Sequence, residues 1–249
     1  MAFSLESISS TRRAVAPKIV VGGCGKIGKT TFAASAPDVI GILTEDGAHA
    51  LDVQAFPLCK SLDDVYSAIA TLLGEDHGFK SVFIDSLDWL EPLLYAYVCK
   101  ANGWENIEQP GYGKGYAAAA SEWRILLDGL DALRNYKQMA VILVVHDKIK
   151  KVEDPMHEPF DMHDLKLHDR ASALVKEWAD IIGYAGYELA IKETKGDFGK
   201  VENRALRVKT RMLYVETNPA HFGGNRIGLK NCPLNWHSLV GQMYQEVSE

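Results

Sequence analysis

Gly23-Cys24-Gly25-Lys26-Ile27-Gly28-Lys29-Thr30 decides how this chain is read. The stretch fits the pattern G-x-x-x-x-G-K-[ST] and lies between an apolar run, Ile19-Val20-Val21, and a segment with helical spacing that begins near Lys29. Glycines let a backbone curl around a phosphate with its amides pointing inward, and a helix start adds partial positive charge. Gly22, Gly23, Gly25 and Gly28 supply that freedom. In such a loop Lys29 reaches the β- and γ-phosphates of a nucleotide, and the Thr30 hydroxyl completes the coordination of Mg2+. The expected nucleotide-binding residues are therefore Gly23, Cys24, Gly25, Lys26, Ile27, Gly28, Lys29, Thr30 and Thr31. Cys24 is expected to fill space rather than react, and Lys26 either touches a phosphate or faces solvent. A glycine-rich turn with an incidental Gly-Lys-Thr is the competing reading.

Working outward, apolar runs at 18–22, 39–43, 81–84, 139–145, 181–185 and 205–216 read as buried strands. Segments with helical spacing at 30–36, 62–73, 87–101 and 116–136 separate the early ones. Strands apolar on both sides and alternating with helices imply an α/β fold with a mainly parallel central sheet, helices on both faces and a β-rich C-terminal extension. Ligands of such sheets bind beyond the carboxyl ends of the strands. The chain has 249 residues, 47% of them hydrophobic, which suits one substantial core. A single domain is expected over 18–249, with 1–17 as a tail or edge element. Two stretches read as long loops, 102–116 and 147–169, and long loops in compact domains are often functional.

Charge and cysteines narrow the classes. There are 27 basic and 33 acidic residues, a net charge of -6, so contact with nucleic acid requires a local basic surface. Cys24, Cys59, Cys99 and Cys232 lie far apart with no C-x-x-C pair, which fits neither a disulfide framework nor a cysteine zinc site and points to a reducing cytoplasm. The first residues lack the apolar core of a secretory signal, and no apolar run approaches the roughly 18 residues that span a bilayer.

The strand ends carry the remaining candidates. Phe83-Ile84-Asp85 ends an apolar strand in a carboxylate, the arrangement that sets an acid beside Mg2+. The alternative makes Asp85 the cap of the helix at Leu87. Val39-Ile40-Gly41-Ile42-Leu43 ends at Thr44-Glu45-Asp46, where Glu45 is a candidate general base for the attacking water and the alternative is a solvated turn. His146 closes the run 139–145 and is a candidate γ-phosphate sensor, or an ordinary strand-end histidine. His157, His163 and His168 form no familiar metal-ligand pattern.

Taken together, these pieces resemble the RecA-type ATPases, specifically the phage-encoded RecA-like ATP-binding proteins of AAA type related to Sak-type single-strand-annealing proteins. The resemblance covers most of the chain. Besides the phosphate loop it rests on Thr44-Glu45-Asp46-Gly47, Phe83-Ile84-Asp85-Ser86-Leu87, Gly111-Tyr112-Gly113-Lys114-Gly115-Tyr116 and His146. Lys176-Glu177-Trp178-Ala179-Asp180 and Asn225-Arg226-Ile227-Gly228-Leu229 complete it. It implies ATP with Mg2+ as cofactors, Glu45 as catalytic glutamate and His146 as sensor. It also implies that Arg226 serves the ATP of a neighbouring subunit in a ring or filament. Gly224 stands where that family's lysine is expected, and Lys209-Thr210-Arg211 would supply another cation.

In RecA-like proteins single-stranded DNA runs over the loops after the third and fourth strands, here 102–116 and 147–169. Trp104, Tyr112, Tyr116 and Lys114 in the first would stack on bases and touch phosphate, or form a glycine-hinged lid or a subunit contact. A basic strip at 192–211 is a third candidate for backbone contact. The expected role is an ATP-dependent recombination, annealing or replication factor in a bacterial host cytoplasm, with a replication or recombination protein as partner. The alternatives are a nucleotide-gated protein switch without DNA and a small-molecule kinase.

Overall fold

A computed structural model of the protein describes residues 15–155, 158–195 and 201–245, and the side chains of 189–208 and 244–245 lie outside what it describes. The expected tail or edge element therefore falls, up to residue 14, outside the described residues.

Strand residues that alternate between two apolar cores build the sheet. Val20 of β1 (Lys18–Gly23) faces one core, while Ile19 and Val21 face the other. Val82 and Ile84 of β4 (Ser81–Asp85) join the first core, and Phe83 joins the second. In β5 (Ala140–Val152), Val141, Leu143 and Val145 oppose Ile142 and Val144 in the same way. Such two-sided burial requires helices on both faces. The first core is closed by α2 (Leu62–Gly74), α3 (Leu87–Asn102), α4 (Lys114–Lys137) and α5 (Asp169–Trp178), through residues such as Leu72, Leu90, Trp123 and Val175. The second is closed by α1 (Lys29–Ala34) and α6 (Trp236–Gln245), through Phe32, Trp236 and Leu239.

The remaining strands are β2 (Val39–Leu43), β3 (Gln54–Ala55), β6 (Phe160–Leu165), β7 (Ile181–Lys195), β8 (Val201–Tyr214), β9 (Gly224–Asn225) and β10 (Cys232–Pro233). They order as β10-β8-β7-β1-β5-β4-β2-β3, with β6 on β5 and β9 on β7. From β7 to β3 every pairing is parallel, whereas β8, β9 and β10 pair antiparallel. The result is a mixed α/β architecture with a mostly parallel central sheet and a β-rich C-terminal part, as expected.

One expectation is corrected. The stretch 147–169 is not a loop: β5 continues to Val152 and returns as β6, with Asp147 opposite Leu165 and Val152 opposite Phe160. Its strands are too charged to show an apolar period, but cross-strand and helix partners neutralise them. Lys150 Nζ lies 2.9 Å from Asp169 and 3.8 Å from Asp164, and Lys148 Nζ donates to the Leu167 carbonyl at 2.6 Å. In the stretch 102–116, α4 begins at Lys114, earlier than expected, because Gly115 packs directly on the preceding turn.

Gly115 leaves no room for a side chain: a Cβ there would lie 1.8 Å from the Ile107 carbonyl oxygen. Gly115→Ala is expected to displace the 103–113 turn and cost about 1–3 kcal/mol. Urea unfolding measures this, and an unchanged midpoint would contradict the packing described.

Candidate phosphate and metal site

The loop after β1 is shaped by two glycines. Gly23 has φ 154°, and a Cβ on it would meet the Ala185 carbonyl oxygen at 2.4 Å. Gly28, the N-cap of α1, has φ 112°, a left-handed conformation that disfavours any side chain. Between them Ile27 is 1% exposed and anchors the loop in the second core, while Cys24, Gly25 and Lys26 are exposed. The expectation that Cys24 fills space is thus corrected: Ile27 does so, and the Cys24 thiol is exposed. Lys26 faces solvent, and Thr31 is exposed on the first turn of α1.

Beneath the loop, Lys29 is buried and its Nζ donates to the carbonyls of Gly23 at 2.9 Å and Cys24 at 3.0 Å. Burial pulls its pKa below the ordinary lysine value, and the charge of Asp85 opposes that shift. The Thr30 hydroxyl donates to Asp85 Oδ2 at 2.6 Å. Asp85 is 3% exposed, so desolvation pushes its carboxyl above the usual range, with the Thr30 bond pulling the other way. Ser86 occupies the N-cap position of α3, so Asp85 is turned to Thr30 instead of capping the helix.

A hydroxyl and a carboxylate oxygen, adjacent and desolvated, are the hard donors that Mg2+ takes together with phosphate oxygens. Burial disfavours the lone negative charge on Asp85, and a cation beside it would restore that charge. Thr30 and Asp85 therefore fit Mg2+, and Lys29 with the loop amides fits a triphosphate. When bound, Mg2+ would neutralise charge developing on the transferring phosphoryl group.

Glu45 lies just past β2, whose Leu43 is level with Asp85. Its amide donates to the Asp85 carbonyl at 3.4 Å, and its carboxylate adds to the upward push on Asp85. This places Glu45 beside the metal candidates, while Asp46 is exposed. His146 sits level with Gly23 in the β1–β5 register. Its Nδ1 is 3.0 Å from Asp88 Oδ1, which also accepts the His146 amide at 3.1 Å. Sequence reasoning missed Asp88. Burial tends to raise its carboxyl, but the hydrogen bonds and charge of His146 outweigh burial and hold it far below the usual range. An acid in the first turn of a helix is ordinarily explained by the helix dipole, which hid this role. Lys166, just after β6, reaches Asp88 Oδ2 at 3.4 Å and donates its amide to the His146 carbonyl at 2.8 Å.

Arg226 is not brought to the loop of its own chain. Asn225 pairs with Ile181 at the amino end of β7, whereas Gly23 is level with Ala185. The Arg226 amide donates to the Asp180 carbonyl at 3.1 Å, and its guanidinium contacts the Glu177 carbonyl. Asn225 builds the turn, donating to the Val215 and Leu229 carbonyls at 2.9 Å each. The segment 176–180 locks the base of β1: Asp180 accepts from the Lys18 amide and from Arg134, each at 3.1 Å.

Of the aromatic residues expected to offer faces, Trp104 packs against the first core and Tyr116 stacks on His168, with centroids 4.1 Å apart. Tyr112 is fully exposed, and Lys114 on the helix start is exposed as well. The basic strip 192–211 follows the β7–β8 hairpin, but residues 196–200 and the side chains up to 208 lie outside the described residues. His157 lies outside them as well, and among the described residues no cluster of His, Cys, Asp or Glu could hold a metal ion by itself. No helix among the described residues is long and apolar enough to cross a membrane.

The family model of the AAA domain matches residues 16–227. The chain belongs to that family. Its members are P-loop ATPases, so this AAA domain is a nucleotide-binding ATPase domain, and Mg2+ is the usual companion of the nucleotide. No curated protein matches the chain at a significant level.

Asp88→Ala is expected to strip His146 of its buried partner and destabilise the AAA domain by about 1–3 kcal/mol. Urea unfolding tests this, and a change below a few tenths would show that the pair does not hold His146 in place.

Proposed function

We propose that this AAA domain is a RecA-like, Mg-dependent ATPase of the phage-encoded kind related to Sak-type annealing proteins, acting on single-stranded DNA in recombination, annealing or replication. The observation that carries the ATPase reading is the Thr30–Asp85 bond of 2.6 Å beneath the 23–30 loop, with Glu45 beside it. In this reading residues 18–249 form one functional domain and 1–17 a tail, working in a bacterial host cytoplasm with a replication or recombination protein.

Each residue then has a task. Lys29 and the loop amides orient the triphosphate, Thr30 and Asp85 hold Mg2+, and Glu45 takes a proton from the attacking water. His146 accepts or donates a hydrogen bond at the γ-phosphate. Its partner Asp88 is shared with Lys166, next to β6, which supports coupling of the site to the β5–β6 hairpin. Arg226 stabilises charge on the phosphate of a neighbouring subunit in a ring or filament. Tyr112 and the basic β7–β8 strip are the proposed DNA contacts.

A second reading, a nucleotide-gated protein switch, is favoured by the ion pairs that occupy Lys148 and Lys150 and by the internal packing of Trp104 and Tyr116. ATP turnover with and without single-stranded oligonucleotides separates the two. The DNA reading expects stimulation that weakens as salt rises. Turnover indifferent to oligonucleotides at low salt favours the switch.

The assignments are tested by three variants. Lys29→Ala is expected to abolish tight nucleotide binding, and Glu45→Gln to keep binding while slowing turnover about 100-fold or more. Arg226→Ala is expected to lose turnover and regain part of it when mixed with Lys29→Ala subunits. Retained affinity, unchanged turnover, or absence of rescue respectively removes each role.

A further inference from the structure

Arg211, the last residue of the basic strip 192–211, lies against the phosphate loop rather than away from it. It lies on β8 opposite Tyr187, two residues beyond Ala185, whose carbonyl walls Gly23. Its backbone is pinned, since its carbonyl accepts the Leu234 amide at 2.9 Å and Met212 pairs with Pro233 of β10. The side chain reaches the loop: a Cβ built on Gly28 would lie 3.1 Å from Arg211 Nη1 and 3.9 Å from its Cδ. Leu234 Cδ2 lies 3.7 Å from the same point, so Arg211 and Leu234 form a lip against the residue that precedes Lys29.

The guanidinium makes no hydrogen bond or ion pair with a described residue, and Arg211 is exposed. The buried carboxylates of the phosphate and metal site are engaged elsewhere: Asp85 accepts from Thr30, and Asp88 holds His146 and Lys166. A planar cation with five donors, held against a phosphate loop and given no anion by the described residues, matches the geometry of phosphate oxygens. Arg226, in contrast, is tied to the amino end of β7 and cannot serve this loop within one chain.

We infer that Arg211 is a nucleotide-binding residue acting in cis, donating hydrogen bonds to phosphate oxygens of the triphosphate held by its own chain's loop. This rests on the phosphate-loop reading of residues 23–30. It gives the AAA domain two arginines with separate duties, Arg211 within the subunit and Arg226 between subunits. Glycine at position 28 is required by its φ of 112°, and the missing side chain also leaves the guanidinium room beside the loop.

The test titrates fluorescent ATP and ADP analogues, with Mg2+, against the wild-type chain and its Lys29→Ala, Arg211→Ala, Arg211→Gln and Arg211→Lys variants. Arg211→Ala and Arg211→Gln are expected to weaken binding of ATP about tenfold, the size of one charged hydrogen bond. Arg211→Lys is expected to lose less, and a thermal melt checks that β8 remains folded. Adding Lys29→Ala subunits to Arg211→Ala is expected to restore nothing, because each chain then lacks part of its own site. Restored binding in the mixture would make Arg211 a residue of the neighbouring subunit and overturn the inference. Unchanged affinity in folded Arg211→Ala and Arg211→Gln, with binding lost in Lys29→Ala, would also overturn it while leaving the phosphate loop intact. Unchanged affinity in Lys29→Ala would remove the loop reading itself.

Discussion

Everything gathered at the strand ends depends on how β1 is held between β5 and β7. The register sets Gly23 level with His146 on one side and Ala185 on the other. Both contacts are close, and neither tolerates a shift by one residue without driving Ile19 and Val21 out of the second core and Val20 out of the first. Because β4 continues the same register, Asp85 arrives beside Thr30, and because β2 follows β4, Glu45 arrives beside Asp85. The site is thus a by-product of parallel pairing: four neighbouring strand ends, with Asp85 level with Val144 and Gly23 level with His146, each contributing the residue at or just after the end of its apolar run.

The electrostatics follow from that crowding. Lys29 and Asp85 are buried side by side, the Asp88 carboxylate is buried against His146, and Glu45 and His146 are half-buried at the edge. Burial moves Lys29 down and Asp85 up, both toward neutrality, while His146 holds Asp88 ionised. An Asp85 carboxyl pushed upward by desolvation and a Thr30 hydroxyl donating to it form a pair whose charge balance improves when a cation enters.

Much of this was legible in the sequence, for reasons that can be named. Buried strands such as 81–84 and 139–145 are apolar on both sides and bounded by polar residues, so both the parallel sheet and the identity of its end residues could be read. The phosphate loop carries its glycines at positions fixed by backbone geometry. The β5–β6 hairpin was missed because Lys148, Lys150, Asp164 and Asp169 satisfy one another across the chain, a pattern that looks like a solvated loop until its partners are known. Asp88 was missed because its sequence position has a sufficient local explanation. Ile27 rather than Cys24 fills the space beneath the loop because glycine spacing fixes the path of a loop, but not which side chain turns inward.

The placement of Arg226 has a consequence of its own. The phosphate loop and this arginine lie at opposite ends of the same parallel strands, so the molecule has a head and a tail. Any assembly in which the arginine of one copy meets the loop of the next uses two different surfaces and must run in one direction. A ring hides both ends. An open filament of that kind keeps one terminal loop with no arginine and one terminal arginine with no loop, so its two tips are chemically unlike.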